Sequence, residues 1–137
     1  MRYLLDTCMF IYMMDEQDVI SRDVDAILTD YDSVLCMSVE SLRELIVAYR
    51  KKKLLSKKWH SEEDLIRGIL DSRINLLPLK PEHMLTYSQL QLKDGHDDPS
   101  DHVIIAQAIT EHIPLISSDT RFPFYRSQGL DLVFNTK

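Results

Sequence analysis

Residues 98–119 read DPSDHVIIAQAITEHIPLISSD, a complete helix-to-strand unit. Asp98 suits a helix N-cap, because its carboxylate can accept a hydrogen bond from an unpaired first-turn amide. Pro99 suits the first helical position, whose N–H would be unpaired anyway. Ile104, Ile105, Ala108 and Ile109 then share one helical face, and the spacing predicts a helix running to about Glu111. His112-Ile113-Pro114 turns the chain into Leu115 to Ser117, a short apolar run of strand type.

The same alternation extends outward along the chain. Tyr3 to Leu5, Val34 to Met37, Ile74 to Leu77 and Leu132 to Phe134 are further short strand-like runs. Pro78 stops the run that begins at Ile74, since it cannot donate to a ladder. Leu42, Leu45, Ile46 and Tyr49 follow i, i+3, i+4, i+7 behind a capping Ser38, and Leu65, Ile66, Ile69 and Leu70 also cluster on one face. Strands alternating with helices predict βαβ crossovers. The expected fold is therefore α/β, a three-layer α/β/α domain with a central, largely parallel sheet of about five strands. The 137 residues fit one domain, expected to span 1–137.

Composition removes several classes. With 45% apolar and 28% charged residues the chain is not disordered. Its longest apolar stretches, Cys8 to Met14 and Leu45 to Tyr49, fall far short of the ~20 residues that span a bilayer. Asp6 interrupts the N-terminal apolar run, and no small-residue cleavage site follows, so a signal peptide is not expected. Cys8 and Cys36 form neither a disulfide framework nor a CxxC metal pair. A cytoplasmic protein without a membrane segment is the expectation.

The net charge of −6 is unevenly placed. Residues 43–58 hold seven basic residues against Glu44, a local charge of +6 that leaves −12 elsewhere. Such a segment can touch phosphates locally on an otherwise acidic body. It also reads as a solvated helix end whose lysines complement the C-terminal dipole.

Four acids fall at equivalent places in this pattern. Asp6 directly follows the first strand, and Asp119 lies just beyond Leu115 to Ser117. Glu44 sits early in the helix entered through Met37-Ser38, and Asp101 sits in the first turn after Asp98-Pro99. Open parallel sheets bind ligands beyond their strand C-termini, so the four carboxylates are expected to converge there. Each also has a plain reading alone. Asp101 with Asp98 resembles a capping box, Asp119-Thr120 a turn starter, and Glu44 a helix-surface acid. Asp6 resists this treatment, because an acid after a buried strand is costly without a partner. Converging carboxylates repel unless a cation lies among them, and hard divalent ions prefer such oxygens. That arrangement suits hydrolysis of a phosphate ester.

These residues resemble a known family, the PIN-domain ribonucleases, and within it the VapC-like toxins of bacterial toxin–antitoxin pairs. Tyr3-Leu4-Leu5-Asp6-Thr7 is similar to the family's first motif, and Ser38 to Leu45, with Glu44 in the acidic position, to its second. Asp98-Pro99-Ser100-Asp101 followed by Ile104 to Ala108 is similar to the third, and Leu115 to Asp119 with Phe122 to the fourth. The motifs run in the family's order from residue 3 to residue 122. Cys8 stands where Asn is common, and Ser100 and His102 replace a frequent Phe and Arg.

The resemblance implies an endoribonuclease that uses Mg²⁺ or Mn²⁺ and leaves a 5′-phosphate and a 3′-hydroxyl. Asp6, Glu44, Asp101 and Asp119 would be its metal-binding and catalytic acids, with Asp119 able to act through water. Thr7, Ser117 and Ser118 would orient a carboxylate or water from behind. It also implies an RNA substrate, a homodimer and a cognate antitoxin, for which Tyr49 to Ile69 around Trp59 is a candidate contact surface. Trp59 can equally cover the core between two helices. Arg50 to Lys58 would guide RNA to the cleft.

Other classes fit less well. A haloacid-dehalogenase-like phosphatase also begins with a strand ending in Asp, but its second Asp, two positions on, is Cys8 here. A receiver domain needs a Lys after a late strand, and Ser117 to Phe124 holds only Arg121. His60, His83, His96, His102 and His112 show no zinc-ligand spacing with either cysteine, and His96 and His102 read as solvent-facing loop residues. A non-toxin RNA-processing nuclease of the same fold and a non-catalytic metal- or phosphate-binding module stay open.

Overall fold

A computed structural model describes residues 1–51 and 59–136. In chain order the elements are β1 (Arg2–Leu5), α1 (Thr7–Asp15), α2 (Arg22–Thr29), β2 (Val34–Ser38), α3 (Val39–Arg50) and α4 (Glu62–Leu70). There follow β3 (Asn75–Leu77), α5 (Pro81–Gln89), α6 (Pro99–Glu111), β4 (Leu115–Ser117) and β5 (Leu132–Phe134), with 3₁₀ turns at Gln17–Val19 and Phe122–Gln128. The five strands form one sheet of order β3-β2-β1-β4-β5, and every neighbouring pair is parallel.

Strand alternation divides the core into two halves, because successive side chains point to opposite faces. Leu5, Leu35, Met37 and Ile116 pack with Met9, Val24, Leu45, Leu65 and Ile69 of α1–α4. Leu4, Cys36 and Leu115 point the other way, onto Ile104, Ile105 and Ala108 of α6 and onto Phe122 and Tyr125. A parallel sheet covered on both faces is the three-layer arrangement expected.

The five expected strands all form, with ends shifted by at most a residue. β2 extends to Ser38, whose hydroxyl accepts from the Glu40 amide (3.0 Å) and so caps α3. Asp98 caps α6 by accepting from the Ser100 amide (3.0 Å), and Asp101 is not the second half of a capping box. α6 ends at His112 in the left-handed conformation (φ 53°), which turns the chain toward β4. The sheet reverses its order between β1 and β4, since β2 and β3 lie to one side and β4 and β5 to the other. That reversal point is where α/β sheets open a ligand crevice.

No helix among the described residues is long and apolar enough to cross a membrane. Lys52 to Lys58, the greater part of the stretch expected to guide RNA and a third of the expected antitoxin surface, lies outside the described residues. Trp59 is buried, its ring stacked on Phe10 of α1 with centroids 6.4 Å apart.

Candidate active site

The crevice is a cleft of about 350 Å³, and Asp6, Glu44, Asp101 and Asp119 all line it, together with Thr7 and Ser118. Four different elements deliver the four acids. β1 ends directly before Asp6, α3 carries Glu44 one to two turns in, α6 carries Asp101, and the turn after β4 carries Asp119. Asp98 and Arg121 also line the cleft.

Each acid is held by a specific neighbour. Asp6 is 6% exposed and has both oxygens occupied. Its Oδ1 accepts from the Met9 amide (2.8 Å), capping α1, and its Oδ2 accepts from the Ser117 hydroxyl (2.5 Å). Thr7 Oγ1 donates to Glu44 Oε1 (2.6 Å), and Ser41 Oγ lies 2.9 Å from the same hydroxyl. Ser118 bonds no acid. It receives a hydrogen bond from Asn135 Nδ2 (2.7 Å) and lies 3.6 Å from Met9 Sδ.

Asp101 meets a residue whose placement corrects the sequence reading. His96 and His102 are not solvent-facing: they are 0% and 2% exposed, packed edge to face with centroids 4.6 Å apart. His96 Nε2 lies 2.9 Å from Asp101 Oδ2, and its Nδ1 lies 2.9 Å from the Tyr125 hydroxyl. That hydroxyl also accepts from the Lys93 amide (3.1 Å). One direction of donation places every proton of the chain. The Lys93 amide donates to the Tyr125 oxygen, the Tyr125 hydroxyl to His96 Nδ1, and His96 Nε2–H to Asp101. His102 is held neutral, its burial pushing the imidazole below its ordinary value.

Asp119 is engaged by Arg121. Asp119 Oδ1 accepts from the Arg121 backbone amide (2.9 Å) and from Nε (3.0 Å), and Oδ2 accepts from Nη2 (2.7 Å). Nη2 also lies 3.8 Å from Asp101 Oδ2, an ion pair too long for a hydrogen bond.

The electrostatics follow this division. Burial raises the Asp6 carboxyl from 3.8 to about 7, against the lowering pull of Ser117 and the Met9 amide, and the charges of Asp101 and Asp119 add to the rise. Burial also raises Glu44 and Asp101, against hydrogen bonds from Thr7 and His96 respectively. Asp119 alone is lowered, chiefly by the Arg121 guanidinium. Desolvation, with all four acids around it, pushes the Cys8 thiol up to about 12, so it is no thiolate nucleophile at neutral pH.

Three of four carboxylates thus resist ionising together, which is what a bound divalent cation relieves. Among the described residues His96, Asp101 and Asp119 bring one ligand-capable atom each within 4.8 Å of one another. His96 spends both nitrogens on Tyr125 and Asp101, so the donors left to a cation are the carboxylate oxygens lining the cleft, a set that fits a hard ion. His96 and Arg121 escaped the sequence reading because neither has a periodic or motif signal. A histidine two positions before the Asp98-Pro99 cap and an arginine two after Asp119 were the available hints.

The sequence profile of the PIN domain matches residues 3–127. A search of curated protein sequences returned no match. Among solved structures, a chain of DNA-bound VapBC from Salmonella typhimurium is similar at 21% identity and TM-score 0.69, covering 98% of each chain. A chain of VapBC2 from Rickettsia felis, bound to a promoter DNA fragment, is similar at 22% identity and TM-score 0.68, covering 98% of this chain and 99% of that one. A chain of FitAcB from Neisseria gonorrhoeae is similar at 19% identity and TM-score 0.65, covering 97% and 96%. Likeness at these identities concerns the fold.

Proposed function

The chain belongs to the PIN-domain family, and on that footing we propose that it is a metal-dependent endoribonuclease, the toxin of a toxin–antitoxin pair. The observation that supports this most is the meeting of Asp6, Glu44, Asp101 and Asp119 in one cleft at the point where the sheet order reverses. Capping α1 accounts for one oxygen of Asp6, but carboxylates collected at such a point, three of them with raised proton affinity, are best used in holding a cation.

In this reading Asp6, Glu44 and Asp101 hold Mg²⁺ or Mn²⁺, with Asp119 at the edge of the set. Bound there, the ion supplies Lewis acidity toward a water and toward the scissile phosphodiester. The chain's own residues supply the alignment. Ser117 and the Met9 amide fix the Asp6 carboxylate, Thr7 fixes Glu44, and His96, itself held by Tyr125, fixes Asp101. Carboxylates fixed in this way lose little orientational freedom when the ion and the phosphate arrive.

The toxin reading adds a protein partner. The similar chains come from VapBC and FitAcB structures, which supports a cognate antitoxin for this chain, and the homodimer that the family resemblance implies is proposed with it. An apolar groove of about 310 Å³, lined by Phe10, Met14, Trp59, Ile69 and Ile74 among the described residues, suits an apolar segment of such a partner.

Cleavage of total cellular RNA by purified protein tests the activity, with Mg²⁺ or Mn²⁺, with chelator, and with Asp6→Asn. Metal-dependent cutting that the substitution abolishes is expected. A folded, antitoxin-free wild type that cuts no RNA would sink the nuclease reading and favour a binding module.

A further inference from the structure

Arg121 is the one cation lining the acidic cleft among the described residues. An RNA backbone entering that cleft brings its own negative charge toward Asp6, Glu44, Asp98 and Asp101. A cation that neutralises the acids does not by itself orient the incoming phosphate. A guanidinium does, because its planar fork matches two phosphate oxygens at once.

The Arg121 fork is already aimed. Its backbone is fixed in a short turn: the Asp119 amide donates to Ser117 Oγ (3.0 Å) and the Phe122 amide to the Asp119 carbonyl (3.1 Å). Phe122 is fully buried and pins the turn to the core. Asp119 then clamps one edge of the guanidinium through Nε and Nη2, and the Nη1 hydrogens and one Nη2 hydrogen are left to donate. The side chain stays 42% exposed, so that free edge is open to a ligand. Asp119 is correspondingly spent, with Oδ1 accepting twice and Oδ2 once, all from Arg121.

We propose that Arg121 is a substrate-binding residue that grips a phosphodiester oxygen of the RNA in this cleft, and that Asp119 serves to position it rather than to ligate metal directly. The proposal rests on the nuclease reading and divides the four acids into three that hold the ion and one that holds the arginine. The competing account makes Arg121 a placeholder that a metal ion expels from Asp119.

Arg121→Ala and Arg121→Lys separate the two, since a half-exposed side chain can be replaced without opening the core. Mn²⁺ binding to the RNA-free protein would be followed by electron paramagnetic resonance. Binding of a labelled single-stranded oligoribonucleotide would be measured by anisotropy in the Asp6→Asn background, and cleavage kinetics in the Asp6 background. Arg121→Ala is expected to raise Mn²⁺ affinity only modestly, through loss of a positive charge 3.8 Å from Asp101, while weakening RNA binding by about tenfold or more and lowering kcat/KM by about 100-fold, the scale of removing one donor from a developing anion. Lys should restore part of the binding, having the charge without the fork. Mn²⁺ affinity rising about tenfold with RNA binding unchanged would overturn the proposal in favour of the placeholder. If the wild type proves inert on RNA, the nuclease reading fails separately. The anisotropy arm then still decides, loss of binding in Arg121→Ala supporting the grip and equal binding refuting it.

Discussion

Asp6→Asn in the metal-free protein should be stabilising, and by an amount that depends on pH. Asp6 is a buried carboxyl whose folded value lies near 7, against 3.8 in the unfolded chain. Because the folded value is raised, its contribution to stability is fully present below pH 3.8 and is lost as pH climbs through 7. A gap of about three units at about 1.4 kcal/mol each makes the loss about 4 kcal/mol by pH 8. Asn removes the charge while keeping the acceptor that caps α1 at Met9, and Asn and Asp cap about equally well. Wild type and variant should therefore melt closest together below pH 3.8, differ by about 1 kcal/mol at pH 4.5, and separate further until the difference levels off above pH 7. At pH 8 the variant should melt about 10 °C higher, on the scaling for a domain of this size. The assay is thermal unfolding followed by circular dichroism across pH 4.5–8.5 in chelator. Parallel melting curves at all pH values would refute the claim that burial, acting on Asp6, stores this energy in the cleft. Adding Mn²⁺ at pH 8 should then raise the wild-type melting temperature and leave the variant nearly unchanged, because a ligand stabilises only what binds it.

Three further outcomes follow from particular contacts. Tyr125→Phe removes a buried hydroxyl serving both the Lys93 amide and His96 Nδ1, and should cost about 1–3 kcal/mol in urea unfolding; a neutral change would mean the relay to Asp101 carries no weight. His112→Gly should add about 0.5–1 kcal/mol in the same measurement, since the exposed His112 sits at φ 53°, a conformation that suits glycine. Gly68→Ala would normally favour a helix by about 1 kcal/mol. Here its Cβ would meet Trp59 Nε1 at 2.9 Å, so net destabilisation and a shifted emission from the single tryptophan are expected, and a more stable variant with unchanged emission would contradict the contact.

Three helices carry weak marks in the sequence, each for its own reason. α1 (Thr7–Asp15) is apolar almost all round, so no polar face marks a period, and its apolar residues are absorbed by the core and the cleft wall. α2 (Arg22–Thr29) does carry a stripe, Val24, Ile27 and Leu28 at i, i+3 and i+4, but three apolar residues in so short a helix, flanked by acids, do not stand out. α5 (Pro81–Gln89) buries only His83, which bonds Glu111 of α6 (3.1 Å), and leaves Met84 and Leu85 exposed, so its sequence carries almost no core stripe.

What the sequence determined by itself was everything written in local alternation. Short apolar runs ended by acids or caps set five parallel strands and two covering layers, and that topology sends Asp6, Glu44, Asp101 and Asp119 toward one sheet edge whatever their side chains do next. The tertiary structure alone decided how each acid is held. His96 reaches Tyr125 across 29 positions and Ser117 reaches Asp6 across 111, pairings made by packing rather than by spacing. Whether a histidine is buried against an acid or left in water depends on which loop folds over it. That choice is made by the whole core, and no window of sequence contains it.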